Sequence, residues 1–297
     1  MQIPLISFVI LTRNRRKMLV TALAGAREQR YPHKEIIVVD NASTDGTVEF
    51  VRSSYPEVKV VSNARNLGSA VGRNQGIDAS SGDIIIFMDD DCILNSPYTA
   101  RVVAEQFRVD DGCGAVAFRI ADPTTWDEWP YNPTGRINLP IIYEVALFCT
   151  GGVALRRSVL EQVGGFWDTL FIGHVDTELA LRVVRHGWRI MRRNDILVWH
   201  RKPEPRELSN LRRTVYFRIR NSVWLAARVF PVALMPSLLL PTCLRALQLA
   251  VRRGAIPFFV QAVVDALRGL PKCLKLRRPL KWRWVRRARR KRMKLWL

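Results

Sequence analysis

The chain has 297 residues, of which 48% are hydrophobic and 25% charged, and its net charge is +21. This composition excludes an intrinsically disordered protein and suffices for one sizeable core with an additional subdomain. The five cysteines are odd in number, widely spaced and without a C-x-x-C pair. They indicate neither a disulfide framework nor a zinc site, and so favour a reduced compartment.

The basic charge is concentrated in the last third of the chain. Residues 1–200 carry 22 basic and 23 acidic side chains, whereas residues 201–297 carry 25 basic and 3 acidic ones. This shift predicts a near-neutral globular domain over 1–205 and a helical, basic region over 206–297 that seeks an anionic partner. The apolar start from Ile3 to Leu11 lacks the basic flank and the cleavage site of a signal peptide, and is predicted to be a strand.

Short apolar runs alternate with helical patterns over the first ninety residues. The predicted strands are Leu5–Leu11, Glu35–Val39, Val58–Val61 and Asp83–Met88, and the predicted helices are Lys17–Gln29, Thr47–Ser53 and Ser69–Ala79. Buried strands joined by crossover helices are typical of an α/β fold with a doubly wound, mostly parallel sheet. Ligands of such sheets lie at the carboxyl ends of the strands.

The pattern loosens after Cys92. A helix is predicted over Tyr98–Arg108, a strand over Gly114–Ile120, a lid or binding loop over Asp122–Pro140, a strand over Val145–Cys149, a helix over Thr177–Arg185, and strands over Trp188–Met191 and Ile196–Trp199. These elements complete the first predicted domain.

Carboxylates follow two of the predicted strands. Asp40 ends one, and Asp89, Asp90 and Asp91 follow another. Three adjacent carboxylates repel one another unless a cation is present, and oxygen ligands suit Mg²⁺ or Mn²⁺, which also bridges a diphosphate. A solvated acidic turn is the alternative, but the position after a buried strand favours a cation site. Asp40 is either a turn former or an acceptor for a nucleobase or ribose, and the absence of G-x-G-x-x-G disfavours a dinucleotide.

Six ordered motifs between Ser7 and about His200 resemble the family 2 glycosyltransferases of GT-A fold, with a pattern closest to the rhamnosyltransferase-like members. The motifs are SFVILTRNR, EIIVVDNASTDGT, NARNLGSAVGRNQGI, SGDIIIFMDDD, TGGVALRRSVLEQVGGF and FIGHVDTELALRVVRHGW. Their order and spacing are specific, although each motif alone is weak. The resemblance implies an enzyme that uses a nucleotide-diphosphate sugar and a divalent metal, Mn²⁺ or Mg²⁺.

The resemblance also implies roles for individual residues. The implied donor-binding residues are Thr12, Arg13, Asp40, Asp45, Arg73, Asp89 and Asp90, and the implied metal ligands are Asp91, Asp89 and His200. Asp176 is implied as the general base, which takes a proton from the acceptor hydroxyl during an inverting displacement. The simpler interpretation of Asp176 is an N-cap of the helix that follows it.

Three further residues are weaker candidates. Gly151 and Gly152 either let an acceptor approach the backbone or only form a bend. Arg182 lies four residues after Glu178 and is predicted to form a helix-surface pair with it, although the resemblance allows a phosphate contact. An Arg-Asn pair within Arg218–Asn221 also resembles the family, with a possible place near the donor phosphates.

The basic third of the chain favours a membrane surface. The apolar run from Val229 to Leu244 is shorter than the ~20 residues of a membrane span and is interrupted by prolines, so it is expected in the interface or packed on the domain. The tail after Lys281 has an apolar arc formed by Trp284, Val285, Ala288, Leu295 and Trp296. Such a helix fits an anionic leaflet, whereas a solvated charge run or a nucleic-acid tail is the alternative.

The expected function is therefore a non-processive glycosyltransferase on the cytoplasmic face of the membrane. Its acceptor is expected to be lipid-linked or otherwise membrane-associated, in envelope glycan or polysaccharide assembly. No Q-x-x-R-W motif is present, which disfavours a processive synthase. The alternatives are a nucleic-acid-binding protein that uses the basic tail, and a catalytically silent sugar-nucleotide binder.

Overall fold

The computed structural model of the protein describes residues 3–125, 140–200, 208–291 and 293. The strands are β1 (Ile6–Thr12), β2 (Lys34–Asp40), β3 (Lys59–Ser62), β4 (Ile84–Asp89), β5 (Cys92–Leu94), β6 (Cys113–Ala121), β7 (Ile142–Val145), β8 (Val153–Arg156) and β9 (Arg189–His200). The helices are α1 (Arg16–Arg27), α2 (Thr47–Ser54), α3 (Gly68–Ala79), α4 (Thr99–Val109), α5 (Arg157–Val163), α6 (Val175–Arg185), α7 (Leu208–Val229), α8 (Met235–Arg252), α9 (Ile256–Lys275) and α10 (Trp282–Arg290).

The described strands form one mixed sheet in the order β3-β2-β1-β4-β8-β6-β9-β5, with β7 added beside β9. Strands β1 to β4 are mutually parallel, as are β6 and β9, whereas β8 runs antiparallel to both of its neighbours. Val9, Ile37 and Ile85 pack into one apolar cluster, and the alternate residues Phe8 and Ile10 pack into a second on the other face. Helices therefore cover both faces, as the sequence predicts.

The sheet places the ends of β1, β2 and β4 side by side. Thr12 is paired with Asp40, and Leu11 with Asp89, so the carboxylates that follow two separate apolar runs meet at one edge. Helices α1 and α3 begin at the same edge. A site for an anionic ligand is consistent with this position, because helix N-termini and strand ends both converge on it.

Two predicted elements in the second half of the chain are wrong. The segment Val145–Cys149 is mostly not a strand, since β7 ends at Val145 and β8 begins at Val153. Ala146, Leu147 and Phe148 are nevertheless buried, and apolar runs in a strand and in a buried loop look alike in sequence.

The two strands predicted over Trp188–Met191 and Ile196–Trp199 are one strand, β9, whose register with β6 shifts between Phe118 and Arg119. Helix α5 was not predicted. Residues 126–139 of the predicted lid lie outside the described residues.

The C-terminal helices share the core of the half that contains β1 to β4. Trp224, Leu225 and Phe230 of the α7 region, and Val285 and Ala288 of α10, belong to the same apolar cluster as strands β1, β2 and β4. The predicted boundary near residue 205 stays a prediction, since a change of charge composition says nothing about where side chains are buried.

The apolar segment after α7 is longer than predicted. Pro236 lies in the first turn of α8, where a missing N–H costs nothing, and Pro241 lies inside the helix without ending it. Within the described part of the chain, one helical segment, Val232–Arg252, is long and apolar enough to cross a membrane by length and composition. The prediction of a segment too short to span a bilayer is therefore corrected.

Candidate active site

A cleft of about 650 Å³ opens at the carboxyl ends of β1 and β4. Most of the predicted site residues line it: Thr12, Arg13, Arg73, Asp89, Asp90, Asp91, Asp176 and His200. These residues come from distant parts of the chain, and the parallel sheet brings them together. The predicted residues that do not line the cleft are Asp40, Asp45, Gly151, Gly152 and Arg182.

Arg15 neutralises two of the aspartates. Its Nη1 donates to Asp90 Oδ1 at 2.9 Å and to Asp91 Oδ2 at 2.7 Å, while the Thr12 hydroxyl donates to Asp90 Oδ2 at 2.9 Å. Sequence reasoning missed Arg15 as a site residue, although it stands in the TRNR motif directly after β1. Its side chain reaches back from the β1–α1 turn because carboxylates placed this close together require a compensating positive charge.

Asp91 is paired with His200. Antiparallel pairing of β5 with β9 sets Cys92 opposite His200, and His200 Nε2 lies 3.2 Å from Asp91 Oδ1. Ligand atoms of Asp91, Cys92 and His200 all lie within 4.8 Å of one another. Burial, with the negative charges of Asp89 and Asp91, raises the pKa of the Cys92 thiol well above its ordinary value. Mn²⁺ and Mg²⁺ prefer carboxylate oxygen, and Mn²⁺ also imidazole nitrogen, to sulfur. Asp91 and His200 therefore remain as a fitting ligand pair for a divalent metal.

The aspartates of the cluster differ in the direction of their pKa shifts. Burial raises the pKa of Asp90 to about 6, against the opposing charge of Arg15 and with the support of Asp91. Burial also acts to raise the pKa of Asp91, but hydrogen bonding and the charge of His200, together with Arg15, outweigh it and lower that pKa. Burial disfavours the charged form of His200, yet Asp91 outweighs it and raises the pKa of His200. Asp91 is thus the aspartate held as an anion for a cation.

Arg73 and Asp89 form the second ion pair of the cleft. Arg73 Nη2 lies 2.5 Å from Asp89 Oδ1, and the arginine is only 4% exposed. Its buried Nε has no hydrogen-bond partner among the described residues. A buried guanidinium with a donor to spare is suited to a phosphate or sugar oxygen entering the cleft. Asp89 thus pairs with Arg73, whereas Asp91 pairs with His200.

Asp176, the second residue of α6, also lines the cleft. Its Oδ1 accepts a hydrogen bond from the Thr177 N–H at 2.8 Å. Burial raises the pKa of Asp176, with Thr177 and Arg73 opposing and Asp89 reinforcing the shift. The N-cap interpretation is wrong, because His174 occupies that position with φ of 60° and the helix begins at Val175. A carboxylate with a raised pKa in a cleft has the properties of a general base.

The loop before α6 is held from two sides. The Asn221 amide of α7, which is fully buried, donates to the carbonyl oxygens of Leu170 at 3.0 Å, Ile172 at 2.7 Å and Gly173 at 3.0 Å. From α3, the Ser69 N–H and hydroxyl donate to the Phe171 carbonyl at 2.6 and 3.0 Å. The Arg-Asn motif is the one sequence signal for Asn221, and the structure shows that this residue contacts the loop before α6.

Gly68 at the start of α3 allows this loop to approach. It has φ of 86°, and a Cβ built on it would lie 2.5 Å from the Phe171 ring. A larger residue would therefore be strained by its own backbone and would also push the loop away from the cleft.

Two of the predicted donor-binding aspartates have other surroundings. Asp40 is 1% exposed, and one carboxylate oxygen accepts the Ser43 N–H at 2.9 Å while the other has no partner among the described residues. It directly precedes Asn41, which does line the cleft. Asp45 accepts hydrogen bonds from the N–H groups of Thr47 and Arg16, both at 3.2 Å, and so ties α2 to α1. Asp40 keeps a free acceptor for a ligand, whereas the contacts of Asp45 lie within the fold.

The predicted glycines face different neighbours. A Cβ on Gly151 would lie 3.0 Å from Cys92 Sγ and 3.4 Å from Asp89 Oδ2, next to the cleft. A Cβ on Gly152 would meet Val198, Phe118 and Ile120, so this glycine is required by packing between strands.

Glu178 and Arg182 do not form a surface pair. Glu178 is fully buried and Arg182 is 8% exposed, with the Arg182 Nε at 2.9 Å from both Glu178 carboxylate oxygens. The guanidinium also donates to the carbonyl oxygens of Val163, Gly164 and Gly165. The helix-surface interpretation is therefore wrong, because i,i+4 spacing does not report which face of a helix is buried. The donors of Arg182 are engaged within the fold, outside the cleft.

A second cavity of about 790 Å³ lies at the opposite edge of the sheet, near Pro4 and Ile84. Arg156 and Arg157 line it, but their guanidinium groups donate to carbonyl oxygens such as those of Cys113 and Gly82. None of the predicted site residues lines this cavity.

The sequence model of the family Glycosyl transferase family 2 matches residues 7–164, which is more than half of the chain. The chain belongs to this family. It is 29% identical over 205 residues to glycosyltransferase AglE of Haloferax volcanii, covering 67% of each chain. It is 26% identical over 200 residues to the amylovoran biosynthesis glycosyltransferase AmsB of Erwinia amylovora, covering 62% of this chain and 65% of AmsB. Nearly two thirds of the length of these glycosyltransferases is thus spanned.

The fold is also that of solved glycosyltransferases. The mannosyltransferase PcManGT from Pyrobaculum calidifontis, in complex with GDP-Man and Mn²⁺, superposes with a TM-score of 0.62 at 21% identity, covering 98% of this chain and 87% of PcManGT. The similarity extends over the C-terminal helices. The mixed, mostly parallel sheet is thereby confirmed as the GT-A type.

Proposed function

We propose that this glycosyltransferase is an inverting, non-processive enzyme that moves a sugar from a nucleotide-diphosphate donor to an acceptor hydroxyl. The observation that carries the proposal is a single cleft that joins the Asp91–His200 pair, the Arg73–Asp89 pair and Asp176. The first two provide a cation and diphosphate subsite. The third would provide the base that deprotonates the acceptor hydroxyl.

Asp91 and His200 would hold the metal, for which an imidazole ligand favours Mn²⁺ over Mg²⁺. A bound divalent metal neutralises charge on the departing diphosphate. Arg15 now balances Asp91, and its guanidinium would be available to the diphosphate when Asp91 holds a metal. Asp89 and Arg73 would orient the ribose and phosphates, and the free oxygen of Asp40 would accept from the nucleotide.

Asp176 would remove the proton from the acceptor hydroxyl. The acceptor oxygen then forms the new bond to the anomeric carbon as the bond from that carbon to the diphosphate oxygen breaks, and the nucleotide diphosphate leaves with the electron pair. Attack opposite the leaving group inverts the anomeric configuration. The charges of Arg73 and Asp89 both act on Asp176, the first lowering and the second raising its pKa.

We further infer an acceptor that is lipid-linked or otherwise membrane-associated, used in envelope glycan or polysaccharide assembly at the cytoplasmic face of the membrane. The support is the strongly basic last third of the chain and the similarity to AmsB, an amylovoran biosynthesis enzyme. Anionic membrane surfaces attract basic segments of this kind.

Replacement of Asp91 tests the metal and donor subsite. In wild-type protein, UDP, GDP or dTDP sugars are expected to raise the melting temperature only when Mn²⁺ is present, because a ligand of the native state stabilises it. Asp91→Asn should abolish the metal-dependent shift and lower transfer about 100-fold, which corresponds to about 2.7 kcal/mol. The measurement is a thermal-shift panel with and without Mn²⁺, followed by transfer assays.

Asp111→Asn is the matched control for Asp91, because Asp111 is exposed and lies outside the cleft. It should behave as wild type. Full metal-dependent binding and transfer by Asp91→Asn would reject the proposed subsite. Metal-dependent binding by wild type without transfer to any acceptor glycan or lipid would instead support a catalytically silent sugar-nucleotide binder.

Asn221 is predicted to act as a positioning residue for Asp176. Asn221→Ala removes three donated hydrogen bonds from the loop before α6, and kcat is expected to fall about 10-fold, equivalent to about 1.4 kcal/mol. The KM for the donor should change less than about twofold, because misplacement of the base affects the transition state and leaves donor binding unchanged. Steady-state kinetics at saturating acceptor measures both.

Asn194→Ala is the control, since this amide bonds Pro140 outside the cleft. A purely structural role for Asn221 would lower the melting temperature with kcat unchanged once the protein is folded. An equal rise of donor KM would place its effect on the donor subsite instead.

A further inference from the structure

Helices α8 and α9 bury small side chains and expose large apolar ones. The buried positions are Thr242, Ala246 and Ala250 on α8 and Ala262, Ala266 and Cys273 on α9. Both helices pack on α7 and on each other. Larger side chains such as Phe259 and Val263 also pack inward but stay partly exposed. The fully buried contacts are thus made by small residues, while large aliphatic side chains remain in contact with solvent.

The exposed apolar residues form one stripe on each helix. On α8 they are Leu240, Leu244, Leu247 and Val251, and on α9 they are Ile256, Val260, Val264, Leu267 and Leu274. Each is between 38% and 62% exposed. Spacings of three and four residues place them along one side of each helix, opposite the small buried residues. We name this surface the α8–α9 stripe.

Charges flank the α8–α9 stripe but do not interrupt it. Exposed arginines and lysines lie roughly a third of a turn from the stripe, at Arg245 and Arg252 on α8 and at Arg268, Lys272 and Lys275 on α9. The two helices carry one acidic residue, Asp265, which accepts a hydrogen bond from the Tyr216 hydroxyl. The surface is therefore apolar in the centre and positive at its edge.

We propose that the α8–α9 stripe lies in the interfacial layer of an anionic lipid membrane. Apolar side chains beside a row of basic groups match the acyl chains and anionic headgroups of one leaflet. A second copy of the chain fits less well, because two such surfaces would bring their basic edges together. The retained packing of both helices on α7 favours a hairpin lying along the leaflet over a single spanning helix.

The basic tail does not provide this surface. The apolar side of α10 faces inward, with Val285 and Ala288 fully buried in the main core, and Trp284 packs against the same core. Arg287 and Lys291 bind Glu144 on β7 at 2.8 and 2.5 Å. The expectation that these apolar residues meet the membrane is therefore wrong, whereas Leu295 and Trp296 of the predicted arc lie outside the described residues.

The inference rests on the proposed membrane association and identifies the surface that performs it. The test is co-sedimentation of the full chain with vesicles of phosphatidylcholine and phosphatidylglycerol at physiological salt. The variant Leu244→Glu/Val260→Glu places two charges in the α8–α9 stripe at exposed positions. It is expected to lower vesicle binding at least about 10-fold, because buried apolar area and charge attraction both set that affinity.

Met18→Glu/Val109→Glu is the matched control, because it introduces the same charge at two exposed apolar residues of α1 and α4. It should bind vesicles within about twofold of wild type, and Arg286→Gln/Arg290→Gln should have a smaller effect than the stripe variant. Donor-induced thermal shifts are measured on every variant. A lost donor response would concern the catalytic proposal, whereas lost sedimentation with a normal donor response concerns the stripe.

Several results would overturn the assignment. Unchanged vesicle binding by Leu244→Glu/Val260→Glu, or loss of binding through the tail variant alone, would remove the membrane role of the stripe. A wild-type dimer that the stripe variant converts to a monomer would assign the surface to a second copy. Preference for RNA over anionic vesicles at physiological salt would support a nucleic-acid-binding function.

Discussion

Asp176→Asn is expected to lower kcat about 1,000-fold and, at the same time, to raise the melting temperature at neutral pH. The loss of rate follows because an amide cannot accept the proton of the acceptor hydroxyl. The gain in stability follows because burial raises the pKa of Asp176, which means that the fold disfavours its ionised form. Transfer assays and thermal denaturation at pH 7 measure the two effects.

The stability difference between wild type and Asp176→Asn should depend on pH. A carboxyl group whose pKa is raised by folding favours the native state below its unfolded-state pKa, and this advantage is lost as the pH rises through the folded-state pKa. The extra stability of Asp176→Asn should therefore be present at neutral pH and disappear below about pH 4. Wild-type kcat should fall with falling pH as Asp176 is protonated, and the variant should lack that acidic limb.

Asp78→Asn is a suitable control, because Asp78 is exposed on α3 and does not line the cleft. It should change neither kcat nor the melting temperature at pH 7. If Asp176→Asn kept more than a tenth of the wild-type rate, Asp176 would not be the base. If it lost activity through lost donor binding, Asp176 would belong to the donor subsite.

Glu178→Gln is expected to destabilise the fold by about 3–5 kcal/mol. Glu178 is fully buried and balances two arginines, Arg182 on its own helix and Arg228 on α7 at 3.4 Å. Removal of its charge leaves both guanidinium groups uncompensated where water cannot solvate them. Urea denaturation, with the slope compared between variants, measures the loss.

Glu105→Gln tests whether burial is the cause. Glu105 also pairs with an arginine on the same helix, Arg108, but both side chains are about half exposed. This variant should leave the urea midpoint close to that of the wild type, because exposed ion pairs are screened by solvent. Equal losses in the two variants would mean that the Glu178 pair is no more important than an exposed one.

The sequence predicted the first half of the fold better than the second. Strands β1, β2 and β4 are continuous apolar runs, and the residues that follow each of them have one place to go in a parallel sheet. Asp40 and the cluster from Asp89 to Asp91 could therefore be predicted to lie at one edge of the sheet, whereas Thr12 was implied only by the family resemblance. The run that ends at Phe148 carries no comparable signal, because burial in a loop and burial in a strand require the same residues.

Long-range partners could not be predicted in the same way. In the sequence, Arg15 is only an arginine that follows a strand. In the structure, it forms ion pairs with both Asp90 and Asp91. Asn221 lies about fifty residues from the carbonyl groups that it binds, and no local pattern indicates them. The inward orientation of α10 could not be predicted either. An amphipathic pattern shows that one side of a helix is apolar, but not which residues cover that side.

The shared core has a practical consequence for work with this enzyme. A fragment ending near residue 205 would lack Leu225 and Phe230 and would open the main cluster to water. It would also lack Asn221, and with it one of the two supports of the loop that precedes Asp176. Soluble protein for crystallisation should therefore be sought by substitutions in the α8–α9 stripe of the full-length chain. Truncation of the C-terminal helices should be avoided.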